Sequence, residues 1–233
     1  MARFWTFTEE ARHTAPPLCF GRCLAPYEQN RVVLRAQPYV FAPMFAVFAQ
    51  YLQQHAPFTP NEIAQIEAVS VVRSVRKRQY LLQAGDIWSY NAFVVNGCLR
   101  TYSVDAKGAE HILNFAMENW WIGDRESLTT GHPSRYNIEA IEDSTVILIN
   151  KEDFDHLRQQ IPALHELVNN ILHRSFLASQ NRIHSAISYS AEEKYREFLL
   201  KYPAIALRIP QHMVASYLGM TTETLSRIRR HIE

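Results

Sequence analysis

After residue 43 the chain has six glycines, and five of them fall between residues 85 and 131. They mark turns at Gly85-Asp86, Asn96-Gly97, Asp105-Ala106-Lys107-Gly108 and Gly131-His132-Pro133. Between the turns lie short apolar or alternating runs: "RQYLLQAGD", "AFVVNGCLRTYSV", "HILNFAM" and "STVILIN". Turns at such close spacing leave no room for long helices. They predict a small antiparallel barrel or jelly roll over about 71–150. Outside this zone glycine is nearly absent and the apolar spacing turns helical.

From 151 to 187 the apolar residues Leu157, Ile161, Leu164, Val168 and Ile171 step by 4, 3, 4 and 3, which is a heptad seam. Pro162 suits the first turn of a new helix, so the spacing predicts a short helix over 152–160 and a long one from 162 to about 187. The stripe can pack on the barrel or meet a second copy of itself. So long a helix has more apolar surface than a small barrel covers, which favours a dimer seam at Leu164, Val168 and Ile171.

Three short helices are expected from 190 onward. Ser190-x-x-Glu193 is a capping box that opens "AEEKYREFLLKY", and Tyr202-Pro203 closes that helix. Pro210 opens the next and Thr221 caps the last. The run "IPQHMVASYLGMTTETLSRIRRHI" has helix-turn-helix form. Val214, Ala215 and Leu218 line the inner side of its first helix, and Gly219 supplies the positive φ of the corner. Leu225, Ile228 and Ile232 form the buried stripe of the second helix. The opposite face carries Thr222, Glu223, Ser226, Arg227 and Arg230.

That layout suits a helix whose N-terminal half enters the DNA major groove. Arg227 has the fork to pair with guanine, Glu223 can accept from a cytosine amino group, and Ser226 can reach a neighbouring base. Thr222, Arg229 and Arg230 are better placed for phosphates. The competing reading is an amphipathic terminal helix with a solvated charged face.

Residues 1–43 differ from the rest, with five arginines, no lysine and five of the eleven prolines. Two readings are open: a disordered extension, or residues the working protein lacks because translation starts at Met44. The second is favoured, because Thr59-Pro60-Asn61-Glu62 and the apolar spacing of Phe48, Tyr51 and Leu52 make a clean beginning. The expected divisions are therefore 1–43, a helix and barrel over 44–160, a dimerisation helix over 161–188 and a DNA-binding module over 189–233.

The formal net charge of +1 argues against a generally basic nucleic-acid coat and leaves a local basic face open. Three cysteines are too few for a disulfide framework. No apolar run of about 18 residues is present, and "MARFWTFTEE" lacks a signal-peptide core, so a soluble cytoplasmic protein with no membrane partner is expected.

Strand-rich domain, long helix and terminal helix-turn-helix, in that order, resemble the Crp/Fnr family of bacterial transcription regulators. The resemblance covers about 59–233. It is carried by "YLLQAGD" with "FVVNGCLR", by "WWIGDRES" with "PSRYNIEAIEDSTV", and by "MVASYLGMTTETLSRIRR". It implies an α+β protein: a cyclic-nucleotide-binding-type antiparallel β-roll, jelly-roll-like, then a dimerisation helix and a winged helix-turn-helix. The Glu223, Ser226, Arg227 spacing resembles the base-reading triplet of the fumarate–nitrate branch, which implies TTGAT-like half-sites. The segment between Tyr202 and Pro210 is short, so any wing there must be small.

Members that bind cyclic nucleotides carry Gly-Glu, then Arg-Ser/Thr ten and eleven residues after the Glu. Here the first pair is Gly123-Asp124 and the second reads Ser134-Arg135, with the arginine one place late. In a strand, a slip of one residue turns a side chain to the opposite face. A cyclic nucleotide is therefore not the expected ligand. The corresponding residues, Gly123, Asp124, Glu126, Ser127, Ser134 and Arg135, with Trp120, Trp121 and Tyr136 beside them, are candidates for a pocket with an unknown small effector.

An iron–sulfur cluster needs four cysteines, and only Cys19, Cys23 and Cys98 are available. No metal site is expected, because the strand zone has only His111 and His132 and no His-x-His pair. Gly-x-Ser-x-Gly, Walker A and Gly-x-Gly-x-x-Gly motifs are absent, so no enzyme activity is expected. The sequence reads as a homodimeric regulator that binds an inverted repeat in double-stranded DNA, with RNA polymerase as a candidate partner. The alternative is a ligand- or protein-binding roll whose helix-turn-helix no longer reads DNA.

Overall fold

The computed structural model describes residues 38–232. The described residues open with α1 (Pro38–His55) and α2 (Pro60–Ala68). Thr59 caps α2: its Oγ1 accepts from the Glu62 amide at 3.3 Å, and its own amide donates back to Glu62 Oε2 at 2.7 Å. Helix α1 crosses the boundary expected at residue 43, and Phe41 stacks on Phe45 with ring centroids 5.9 Å apart. The rest of the expected extension, residues 1–37, lies outside the described residues.

Eight strands follow in two four-stranded antiparallel sheets. The first holds β1 (Val71–Val75), β8 (Ser144–Asn150), β3 (Tyr90–Asn96) and β6 (Trp121–Ile122), in that spatial order. The second holds β2 (Tyr80–Leu82), β7 (Asn137–Ala140), β4 (Leu99–Val104) and β5 (Glu110–Ala116). One short helix, α3 (Arg125–Thr130), interrupts the strands. The β3–β4 turn allows no side chain at Gly97: φ is +101°, and a Cβ would lie 2.2 Å from Ser144 Oγ.

Both faces of the roll are covered, which explains the continuous burial of β3 and β8. Ala92, Val94, Val146 and Leu148 point inward between the sheets, where they meet Leu99, Ile138 and Ala140. Phe93, Val95, Ile147 and Ile149 point outward, against α1, α2 and the helices that follow the roll. On the second sheet the outer face carries Cys98, Tyr102, Ile112 and Phe115. These share one core with the C-terminal helices.

Helix α4 (Lys151–Gln160) leads through Ile161 into α5 (Pro162–Ser188), the longest of the described elements. The expected dimer seam divides here. Leu164 and Val168 are buried within the protomer, against the same outer face of the first sheet, and Ile171 is packed at its edge. The heptad stripe is therefore the docking face of α5 on its own roll. The uncovered apolar residues of α5 come later: Phe176, Leu177, Ile183 and Ile187, the last 80% exposed.

The C-terminal module has four helices rather than three: α6 (Ala191–Lys201), α7 (Pro203–Arg208), α8 (Gln211–Leu218) and α9 (Thr222–Ile232). Ser190 and Glu193 form the expected capping box on α6. Between Tyr202 and Pro210, where a small wing was expected, the chain forms α7. Pro203 occupies its first turn, where a missing amide costs nothing. Among the described residues, no strand follows Asn150.

Candidate nucleic-acid interface

The corner between α8 and α9 is built by one residue. Gly219 adopts φ 68° and ψ 36°, and its amide donates back to Ala215 and Ser216. Thr221 then starts α9: its Oγ1 accepts from the Thr224 amide at 3.2 Å, and its carbonyl accepts from Leu225 at 3.0 Å. Val214 and Ala215 are buried on α8, and Leu225 and Ile228 on α9, with Ile232 half-buried. These contacts fix which face of α9 turns outward.

That outward face holds Thr222, Glu223, Ser226, Arg227 and Arg230, all exposed. Arg229, expected beside them, is half-buried. The Glu223 carboxyl is held below the usual range, first by its own backbone amide and then by the Thr221 hydroxyl, so it stands ionised as an acceptor. The last turn carries Arg229, Arg230 and His231, which complements the negative end of the helix dipole. One helix face thus presents an acceptor, a hydroxyl and a guanidinium within two turns, with cations beyond.

The module sits on the second sheet through polar ties that the sequence did not reveal. Ser216 on α8 behaves as an added pairing partner for β5. Its Oγ accepts from the Ile112 amide at 3.1 Å and donates to the Glu110 carbonyl at 2.9 Å. Arg182 on α5 donates to the carbonyls of Leu113, of Ile112 at 2.9 Å and of Tyr217 at 3.1 Å. Its guanidinium also lies 4.2 Å from the Tyr217 ring centroid. Arg208 on α7 pairs with Glu118 at 2.8 Å and with Glu142. None of these partners is near its mate in sequence, so no local spacing could have shown them.

The residues considered for an effector pocket separate. Gly123 and Asp124 line a groove between the roll and α5, and Trp88 packs so close that a Cβ at Gly123 would lie 2.6 Å from its Nε1. The Asp124 carboxylate is buried and spent as the cap of α3, accepting from Glu126 at 3.0 Å and Ser127 at 3.4 Å. Ser127 is also buried: it accepts from the Trp88 amide and donates to the His132 carbonyl. Ser134 is buried and bonded to the Tyr136 backbone. Arg135 points the other way, 71% exposed, and pairs with Glu126 at 2.8 Å. Neither it nor Tyr136 joins the groove wall, whereas Trp120 and Trp121 do. Among the described residues, no group of three His, Cys, Asp or Glu is placed to hold a metal ion.

Residues 72–161 match the family model described as a cyclic nucleotide-binding domain. The chain is 26% identical over 173 residues to the transcriptional activator protein Anr of Pseudomonas protegens, covering 70% of each. It is 28% identical over 167 residues to the transcriptional activator FnrA of Stutzerimonas stutzeri, covering 67% of this chain and 68% of that one. The chain is similar to regulators of the Crp/Fnr type. FixK2 from Bradyrhizobium japonicum shares the fold, with TM-score 0.63, 22% identity and coverage of 70% of this chain and 84% of that one. The Anr and FnrA relatives are both named as transcriptional activators. No described helix of the chain is long and apolar enough to cross a membrane.

Proposed function

We propose that this protein is a sequence-specific DNA-binding regulator of the Crp/Fnr type that acts as a homodimer on an inverted repeat. The observation that carries the reading is the outer face of α9: Glu223, Ser226 and Arg227 stand exposed on one helix whose tilt is set by the Gly219 corner. Among the described residues, nothing pairs with Arg227 or Arg230. Two unpaired guanidiniums beside an ionised acceptor suit a groove that offers guanine acceptors, cytosine amino donors and phosphates together. Dimerisation is supported by Phe176, Leu177, Ile183 and Ile187 along the uncovered part of α5. Two modules carried by paired α5 helices would meet successive major grooves about 34 Å apart.

The test is selection of bound duplexes from a random pool by the full chain, followed by the same selection with Arg227→Ala. The native chain is expected to enrich an inverted repeat. The variant is expected to lose about 1–3 kcal/mol and to relax preference at one base pair of each half-site. A uniform loss across all sequences would make Arg227 a phosphate contact. Absence of any enriched repeat would refute the regulator reading.

A further inference from the structure

The groove between the roll and α5 has a volume of about 630 Å³, within the range of small-molecule sites. Its lining is rich in aromatics: Trp88, Trp120 and Trp121 from the roll and Tyr51 from α1. Its other wall is α5, through Ile171, Leu172 and Ser175. Two guanidiniums, Arg125 at the start of α3 and Arg174 on α5, line the same space. Both are exposed, and among the described residues neither guanidinium has an ion pair or hydrogen bond. The single acid of the wall, Asp124, accepts from the α3 amides through Oδ1 and forms no ion pair with either arginine. Arg174 is near enough to Tyr51 to oppose the effect of burial, which pushes that phenol up.

We propose that this groove binds a small anionic aromatic molecule, its ring against Trp88, Trp120 and Trp121 and its acidic group between Arg125 and Arg174. Aromatic faces reward an offset or edge-on ring, and unpaired guanidiniums in a half-enclosed groove reward a carboxylate or sulfonate. A sugar-phosphate ring is the poorer fit, because Asp124 and Ser134, the positions corresponding to the family's ribose and phosphate contacts, are both bonded internally. A ligand seated there presses on Ile171, Leu172 and Ser175 of α5, the helix whose Arg182 also holds α8. Occupancy would thus bear on the helix-turn-helix through one rigid element. The binding claim is independent of DNA recognition; only its regulatory consequence rests on the proposed function.

The test uses the full chain and two fluorescent probes that differ in charge: anilinonaphthalene sulfonate and the uncharged phenylnaphthylamine. Binding is read by energy transfer from the tryptophans, three of the four in the chain being groove residues. The sulfonate is expected to saturate at one site per chain. The double substitution Arg125→Ala with Arg174→Ala is expected to weaken it about tenfold or more while the uncharged probe keeps its affinity. Both arginines are exposed, so the double variant keeps its fold. No saturable sulfonate binding overturns the proposal, as does unchanged sulfonate affinity in the variant or an equal loss of both probes. Because duplex selection is a separate readout, failure here leaves the DNA reading untouched, and the reverse also holds.

Discussion

Replacing Arg182 with methionine keeps an apolar stem over Tyr217 and removes the guanidinium that joins three elements. Three carbonyls, on Ile112, Leu113 and Tyr217, lose a charged donor, and the Tyr217 ring loses its cation. Charge-assisted hydrogen bonds contribute about 1.5–3 kcal/mol each in favourable sites. Arg182 is only half-buried, so water can replace part of what is lost. A net cost of about 3 kcal/mol is reasonable, which is roughly a hundredfold in an equilibrium constant. The loss should be local. It weakens the docking of α8 on β5 and leaves the two-sided core of β3 and β8 intact. Hydrogen exchange followed residue by residue is the assay, and the Ile112 amide, held by Ser216, is the reporter. Exchange at Ile112 and along α8 should rise about a hundredfold, with β3 and β8 unchanged. A uniform rise across both regions would refute the argument, because it would make Arg182 part of the global core. No rise at all would show that the apolar contacts alone hold the module.

Substituting Ile183→Glu places a charge on the uncovered face of α5, at a side chain already 54% exposed, so the protomer should fold normally. Sedimentation should then show loss of the proposed dimer together with loss of the proposed repeat-specific binding, whereas an unchanged mass would place the interface elsewhere. Gly97→Ala puts a Cβ against the Ser144 backbone and side chain at a positive φ, so destabilisation of several kcal/mol is expected in denaturant unfolding; a cost below about 1 kcal/mol would contradict the geometry. Burial pushes the Glu118 carboxyl up, but hydrogen bonds from Arg208 and from the Gly97 amide outweigh it and leave the group below its usual value. A depressed acid stabilises above its unfolded pKa, and that contribution disappears as pH falls through the folded value. Acid titration should therefore loosen α7 from the roll below the ordinary glutamate range, and Glu118→Gln should flatten that part of the profile.

How far the sequence could be read depended on whether a signal was local. Thr59 with Glu62, Ser190 with Glu193 and Gly219 with Thr221 are short-range patterns, and each forms the cap or corner its spacing predicts. The runs "HILNFAM" and "STVILIN" are β5 and β8 to within a residue at either end. What failed was assignment of partners. A heptad stripe says that a helix face is buried and not what buries it; Leu164 and Val168 chose their own roll. Strand β6, only Trp121 and Ile122, is too short to show a period, and α3 hides between glycine turns. The motif residues do not converge on a pocket: Glu126 and Arg135 satisfy each other at the surface. Arg125 and Arg174 are 49 residues apart and line one groove only because α5 docks on the roll.

The core shared by the second sheet and the C-terminal helices limits what can be exchanged among relatives. Cys98, Tyr102, Ile112 and Phe115 belong by sequence to the roll, yet their side chains pack with Tyr195, Phe198, Val214 and Leu225. A chimera cut at the end of α5 would carry off half of that packing and expose the other half. The transplantable unit is therefore not a contiguous stretch of chain: a borrowed helix-turn-helix must bring the outward residues of β4 and β5 with it, as well as an arginine to take the place of Arg182.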